Sequence, residues 1–108
     1  MSDFDDFLKA VKEGSKKLAR EVFDGFEKEA AQDAKAFLDK SKTDLQRWTK
    51  LLAQSELNEQ DFSDLVQAKK ALAEIHALRQ AGVALTKLER FRSGFINLII
   101  DSAFKVFL

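Results

Sequence analysis

The chain holds one histidine, His76, in the run Glu74-Ile75-His76. Carboxylate-bridged metal bundles use Glu-x-x-His because that spacing sets both ligands on one helix face, and they use it twice. Here the spacing is one residue short and has no second copy. A histidine-rich metal site within one chain is excluded, and His76 reads as a helix flank residue, a ligand only if a symmetric oligomer gathers several copies. Cys is absent, which removes a thiolate nucleophile, a Cys-based zinc site and a disulfide framework. Asp24 and Glu27 are of the types that serve as general acid and base, yet nothing apolar or phosphate-binding frames them. Glu13 with Lys17 and Asp24 with Lys28 stand four apart, acid first, the order that supports a solvated helix face. There is no Gly-rich phosphate loop, nucleophile elbow or His-Glu-x-x-His motif. The chain is therefore read as non-catalytic, with no cofactor and no metal.

Charge narrows the partners. Lys and Arg total 18, and so do Asp and Glu, so no whole-chain field argues for nucleic acid or an anionic membrane. Basic clusters lie at Lys16, Lys17 and Arg20, at Lys69 and Lys70, and at Lys87, Arg90 and Arg92. The last adjoins Phe91 and Phe95, a pairing that single-stranded nucleic acid binders use. Core packing accounts for those rings more cheaply, and a nucleic-acid partner is not expected. The opening MSDFDDFLKAVKEG is acidic and lacks an uninterrupted apolar run, unlike a secretory signal. The expected location is cytoplasmic.

These residues must be placed by helices. Pro is absent and Gly occurs four times, a composition of long helices with few corners. At 108 residues the chain is read as one helical domain, 1–108. Phe4, Phe7, Leu8, Val11, Leu18, Val22, Phe26, Phe37, Leu45, Trp48 and Leu52 recur at helical spacing, which predicts one amphipathic helix over about 3–54. Within it Phe4, Ser15, Phe26, Phe37 and Trp48 fall eleven apart, a stripe that drifts by about 20° per step. Trp48 reads as a core residue of this seam or as an exposed anchor. Ten Phe with no Tyr suit dry interiors, since Tyr is favoured where a ring is half wet.

Around Asn58 the pattern restarts. Asn58 suits an N-cap, Asp61 completes a capping box, and Leu57 with Phe62 occupies the staple positions. A turn at about 55–58 and a helix or helix pair over about 59–107 follow. The acidic group Glu56, Glu59, Asp61 and Asp64 is read as this helix start, where the dipole favours negative charge. A seam runs on through Leu65, Ala68, Leu72, Ile75, Leu78, Leu85, Leu88, Phe95 and Ile99. Gly82 is a candidate stop, with Val83 closing on Leu78 and Thr86-Lys87-Leu88-Glu89 capping the next helix.

The last stretch decides the functional expectation. Ten of the fourteen residues from Phe95 to Leu108 are apolar, and on a helix they surround the axis, so the helix must be covered all round. A membrane span needs about 20 such residues, and here Arg92, Asp101 and Lys105 interrupt the run. The expected fold is all-α: an antiparallel hairpin or bundle of two long helices, three if Gly82 breaks the second, completed by oligomerisation. Breaks near Gly25, Gly82 or Gly94 would instead permit a compact bundle. The expected function is a structural or interaction protein that self-associates through its C-terminal apolar helix and Phe-rich start, using Phe4, Phe7, Leu8, Val11, Phe95, Leu98, Ile99, Ile100, Phe104 and Phe107. The partner is then a second copy in a homo-oligomer. The alternative is a peripheral membrane or lipid-binding protein, with a membrane surface or another helical protein as partner.

Overall fold

The apolar stripe of the first half runs on from Phe4 to Leu52, but the helix does not. A computed structural model describes residues 3–108, and among these the chain is all-helical. In place of one helix over 3–54 there are two, α1 (Asp3–Phe23) and α2 (Glu27–Ala53). They are joined by Asp24-Gly25-Phe26, with φ of 56°, 155° and 64°. The break has a physical reason: a straight helix of this length leaves its stripe facing nothing, whereas a reversal lays one half against the other. Buried small residues, Ser15 and Ala19 on α1 with Ala30 and Ala34 on α2, suit a close approach.

The second half is more broken than its composition predicts. It comprises α3 (Glu59–Ala68), a 3-10 turn (Lys70–Leu72), α4 (His76–Gln80) and α5 (Leu85–Phe107). Asn58 caps α3, its Oδ1 accepting from the Asp61 amide at 2.7 Å. Gly82 does end a helix: at φ 84° its amide bonds to Arg79 O at 3.1 Å, and the Val83 amide reaches Leu78 O at 3.4 Å, the two bonds of a Schellman stop. The capping role for Thr86 to Glu89 is not found, since α5 starts earlier, with Ala84 as an N-cap that makes no side-chain bond. Gly94 lies inside α5 and breaks nothing.

The break between Lys69 and Ile75 has no Gly or Pro behind it. Its cause lies elsewhere in the chain. Asp33, buried on α2, accepts from the amides of Ala77 at 2.9 Å and Leu78 at 3.0 Å, so α4 is capped by a carboxylate of another helix. Arg92 of α5 donates from Nε to Ala73 O at 3.1 Å, and Lys70 Nζ donates to Ser93 Oγ at 2.8 Å. These ties hold Ala73, Ile75 and Leu78 inside the core while Ala68, Leu72 (44% exposed) and Leu85 (74%) turn outward. The seam predicted through those three is thereby corrected.

Four columns pack together, in chain order α1, α2, a third column made of α3, the 3-10 turn and α4, and α5. Phe7 meets Phe107 at one end and Phe23 stacks on Phe91 at 5.5 Å nearer the other, so α1 and α5 are antiparallel. Lys40 with Glu74 and Asp33 with Ala77 likewise run α2 against the third column. The molecule measures 42 × 27 × 21 Å, and α2 alone, at about 1.5 Å per residue, spans its long dimension. Two extended 50-residue helices are thus replaced by shorter ones, broken at Gly25 and Gly82 as well as at Lys69–Ile75. Trp48 is a core residue, with Lys69 Nζ over its ring at 5.6 Å.

Asp33→Ala orphans two amides at the start of α4. Urea unfolding followed by circular dichroism is expected to show a loss of about 2 kcal/mol, with faster hydrogen exchange confined to Ala77, Leu78 and their neighbours. Unchanged exchange at those amides would remove Asp33 from the account of α4.

Candidate functional site

The ten residues marked for self-association all join one apolar cluster of their own chain. Phe4, Phe7, Val11, Phe95, Ile99 and Ile100 are buried, and Leu8, Leu98, Phe104 and Phe107 are half-buried against them. Phe7 lies 6.0 Å from Phe107, Phe95 meets Phe37 edge-on at 5.4 Å, and Phe104 meets Phe62 at 5.9 Å. The expected meeting of the Phe-rich start with the C-terminal helix therefore occurs within the chain.

The α1/α5 contact has an internal symmetry. A Cβ built on Gly14 would stand 2.5 Å from a Leu98 methyl, and one on Gly94 would stand 3.1 Å from the Leu18 methyls. Each helix thus offers a glycine notch to the other's leucine. The pattern repeats with one spacing, Gly14-x-x-Lys17-Leu18-x-x-Glu21 in α1 and Gly94-x-x-Asn97-Leu98-x-x-Asp101 in α5. Because the helices are antiparallel, the two octets are related by a local pseudo-two-fold axis. The same eight residues line an open groove of about 250 Å³ on the outside of the pair. Its floor is the notches and leucines, and its rim carries Lys17, Glu21, Asn97 and Asp101. The repeat is visible as an offset of eighty between two Gly-x-x-x-Leu segments, a self-comparison that apolar periodicity alone does not make. Asp33 was equally legible as a carboxylate inside the stripe between Ala30 and Phe37.

The polar candidates stay apart from this pair. His76 is exposed and bonds through Nε2 to Glu74 at 2.9 Å, while Lys40 donates to the same carboxylate at 3.4 Å. Among the described residues no three His, Cys, Asp or Glu are grouped to hold a metal ion. Asp24 lies in the α1–α2 turn and Glu27 opens α2. A second groove, of about 270 Å³, lies where Leu52, Leu57 and Asn58 meet Leu108. No described helix is long and apolar enough to cross a membrane. Comparison of the chain with protein-family models, with curated proteins and with solved structures returned no match.

Two carboxylates of the α2–third column seam are perturbed. The hydrogen bond from Lys69, aided by the charges of Lys69 and Arg47, holds Asp44 below its ordinary 3.8. His76 first and Lys40 second hold Glu74 below its ordinary 4.5. Both groups bind protons more weakly folded than unfolded, so their contribution is complete above those ordinary values and is lost as pH falls below them. Thermal melts from about pH 5 down to about pH 3 are expected to fall less steeply for Asp44→Asn than for the parent, and an identical slope would remove Asp44 from the acid response.

The notch makes its own prediction. Gly14→Ala in an unhindered helix gains about 1 kcal/mol, but here the new methyl meets Leu98. The gain is expected only in a Leu98→Ala background, so the double-mutant cycle should report a coupling of about 1 kcal/mol. Additive effects would deny the lock.

Proposed function

We propose that this chain is a non-catalytic, cytoplasmic interaction protein, a unit that assembles with further copies of itself through the α1/α5 pair. The observation that supports this reading is the repeated Gly/Leu octet. The two octets pair notch to leucine within the chain, and a second copy carries the same pattern, the kind of match on which isologous association between identical chains draws. The pair also carries most of the chain's large apolar residues, so any exchange or doubling of contacts there involves more burial than at other faces. Chemistry-bearing side chains contribute nothing to that surface beyond rim charge, which fits a binding role.

Light scattering on a sizing column, across loading concentrations, tests the proposal. A defined multiple of 12.2 kDa that grows with concentration is the expected result, and Leu98→Lys, at a half-buried position on the groove floor, is expected to shift it toward monomer. A monomer at every concentration that instead sediments with anionic vesicles would transfer the function to a lipid surface.

A further inference from the structure

The structure points to a specific route for that association: we propose that α1 is an exchangeable arm, which swings out at Asp24-Gly25-Phe26 and docks on α2 and α5 of a second copy. The inference rests on the self-association reading and adds the partner surface and the hinge. Three observations carry it.

First, the hinge is strained. Asp24 and Phe26 both hold positive φ without being glycine, a region in which a Cβ crowds the following carbonyl. Phe26, a bulky aromatic, is an outlier there, is 39% exposed, and is an N-cap for α2 with no side-chain bond to its amides. Second, the residues flanking the hinge favour the straight form. Leu18, Val22, Phe26 and Ala30 continue one stripe at four-residue spacing, and Asp24 becomes an i,i+4 neighbour of Lys28 once the helix is continuous. Opening converts α1 and α2 into one helix over 3–53, about 75 Å long. Third, what α1 leaves behind matches another α1. Its departure uncovers Phe91 and Phe107 together with the Gly94 notch, a surface whose complement is the Phe23, Phe7 and Leu18 face of the same chain. A second copy restores each contact about a true two-fold axis, and the strain in both turns is released.

The absence of Cys makes the test clean. Lys17→Cys and Asn97→Cys lie on the same groove, one on the arm and one on the helix that receives it. The two single variants are mixed, unfolded, refolded together and treated with a short bis-thiol crosslinker, with the double variant as the control that the positions reach one another. Arm exchange predicts a covalent 17–97 pair of twice 12.2 kDa from the mixture, in a dimer whose population follows the hinge. Phe26→Gly relaxes the closed turn and weakens the open helix, and Gly25→Ala does the reverse. Each is expected to move dimerisation by about tenfold per hinge, about a hundredfold for the two hinges of a dimer. A dimer that scatters at twice the mass yet ignores both hinge variants, with or without the 17–97 product, would overturn arm exchange and leave self-association standing. A monomer at every concentration for both the parent and Gly25→Ala would overturn the two together.

Discussion

A helix whose apolar residues surround its axis must be covered on every side, and α5 is that helix. The other elements are arranged around this need. α1 supplies Phe7 and Phe23, α2 supplies Phe37 and α3 supplies Phe62, each meeting a different ring of α5 within 6.0 Å. Arg92 and Ser93 tie the irregular segment after α3 to the same helix. Only Asn97, Asp101 and Lys105, with the rim of the glycine notches, are left toward solvent along its second half. Of the charged residues that interrupt the run, Asp101 and Lys105 mark its wet side, while Arg92 turns in to Ala73 O.

Covering α5 explains why the third column abandons helix where its composition favours it. The run from Lys69 to Ile75 is rich in Ala, Lys and Leu, good helix formers that differ by only tenths of a kcal/mol per residue. Against that stand the burial of Ala73, Ile75 and Leu78 and the amide bonds to Asp33. Burying one such aliphatic side chain contributes about 1.5 to 3 kcal/mol, so packing overrides propensity. The irregular segment turns Leu72 outward in exchange for Ile75 and Leu78 inward. A straight helix cannot satisfy both α2 and α5 over that length.

What was legible in the residues follows the same division between local and distant causes. The all-helical class and the Asn58 cap depend on neighbours in sequence and were readable, and Gly82 was readable as a candidate stop but not as a settled one. So was the covering requirement on Phe95 to Leu108, because all-round apolarity needs no knowledge of the fold. What covers it was not readable. An unbroken stripe from Phe4 to Leu52 specifies a helical face but not whether the face meets its own chain or another, and Gly25 alone does not announce a reversal that also requires Asp24 and Phe26 to accept positive φ. The cap on α4 was hidden for a related reason, since Asp33 and Leu78 stand 45 residues apart and only the packed chain joins them.

The hinge is where those two levels conflict. A non-glycine residue in the left-handed region costs about 1 to 2 kcal/mol, and the turn holds two. Folding α1 back buries Phe4, Phe7, Val11, Ala19 and Phe23, side chains whose combined transfer term is several times larger. In an isolated chain the closed turn therefore wins without difficulty. That comparison changes when a second chain is at hand, because exchange conserves the burial and the aromatic contacts and leaves the turn strain as an unmatched difference, opposed by the entropy of bringing two molecules together. The balance is then between a fixed local strain and a concentration-dependent entropy.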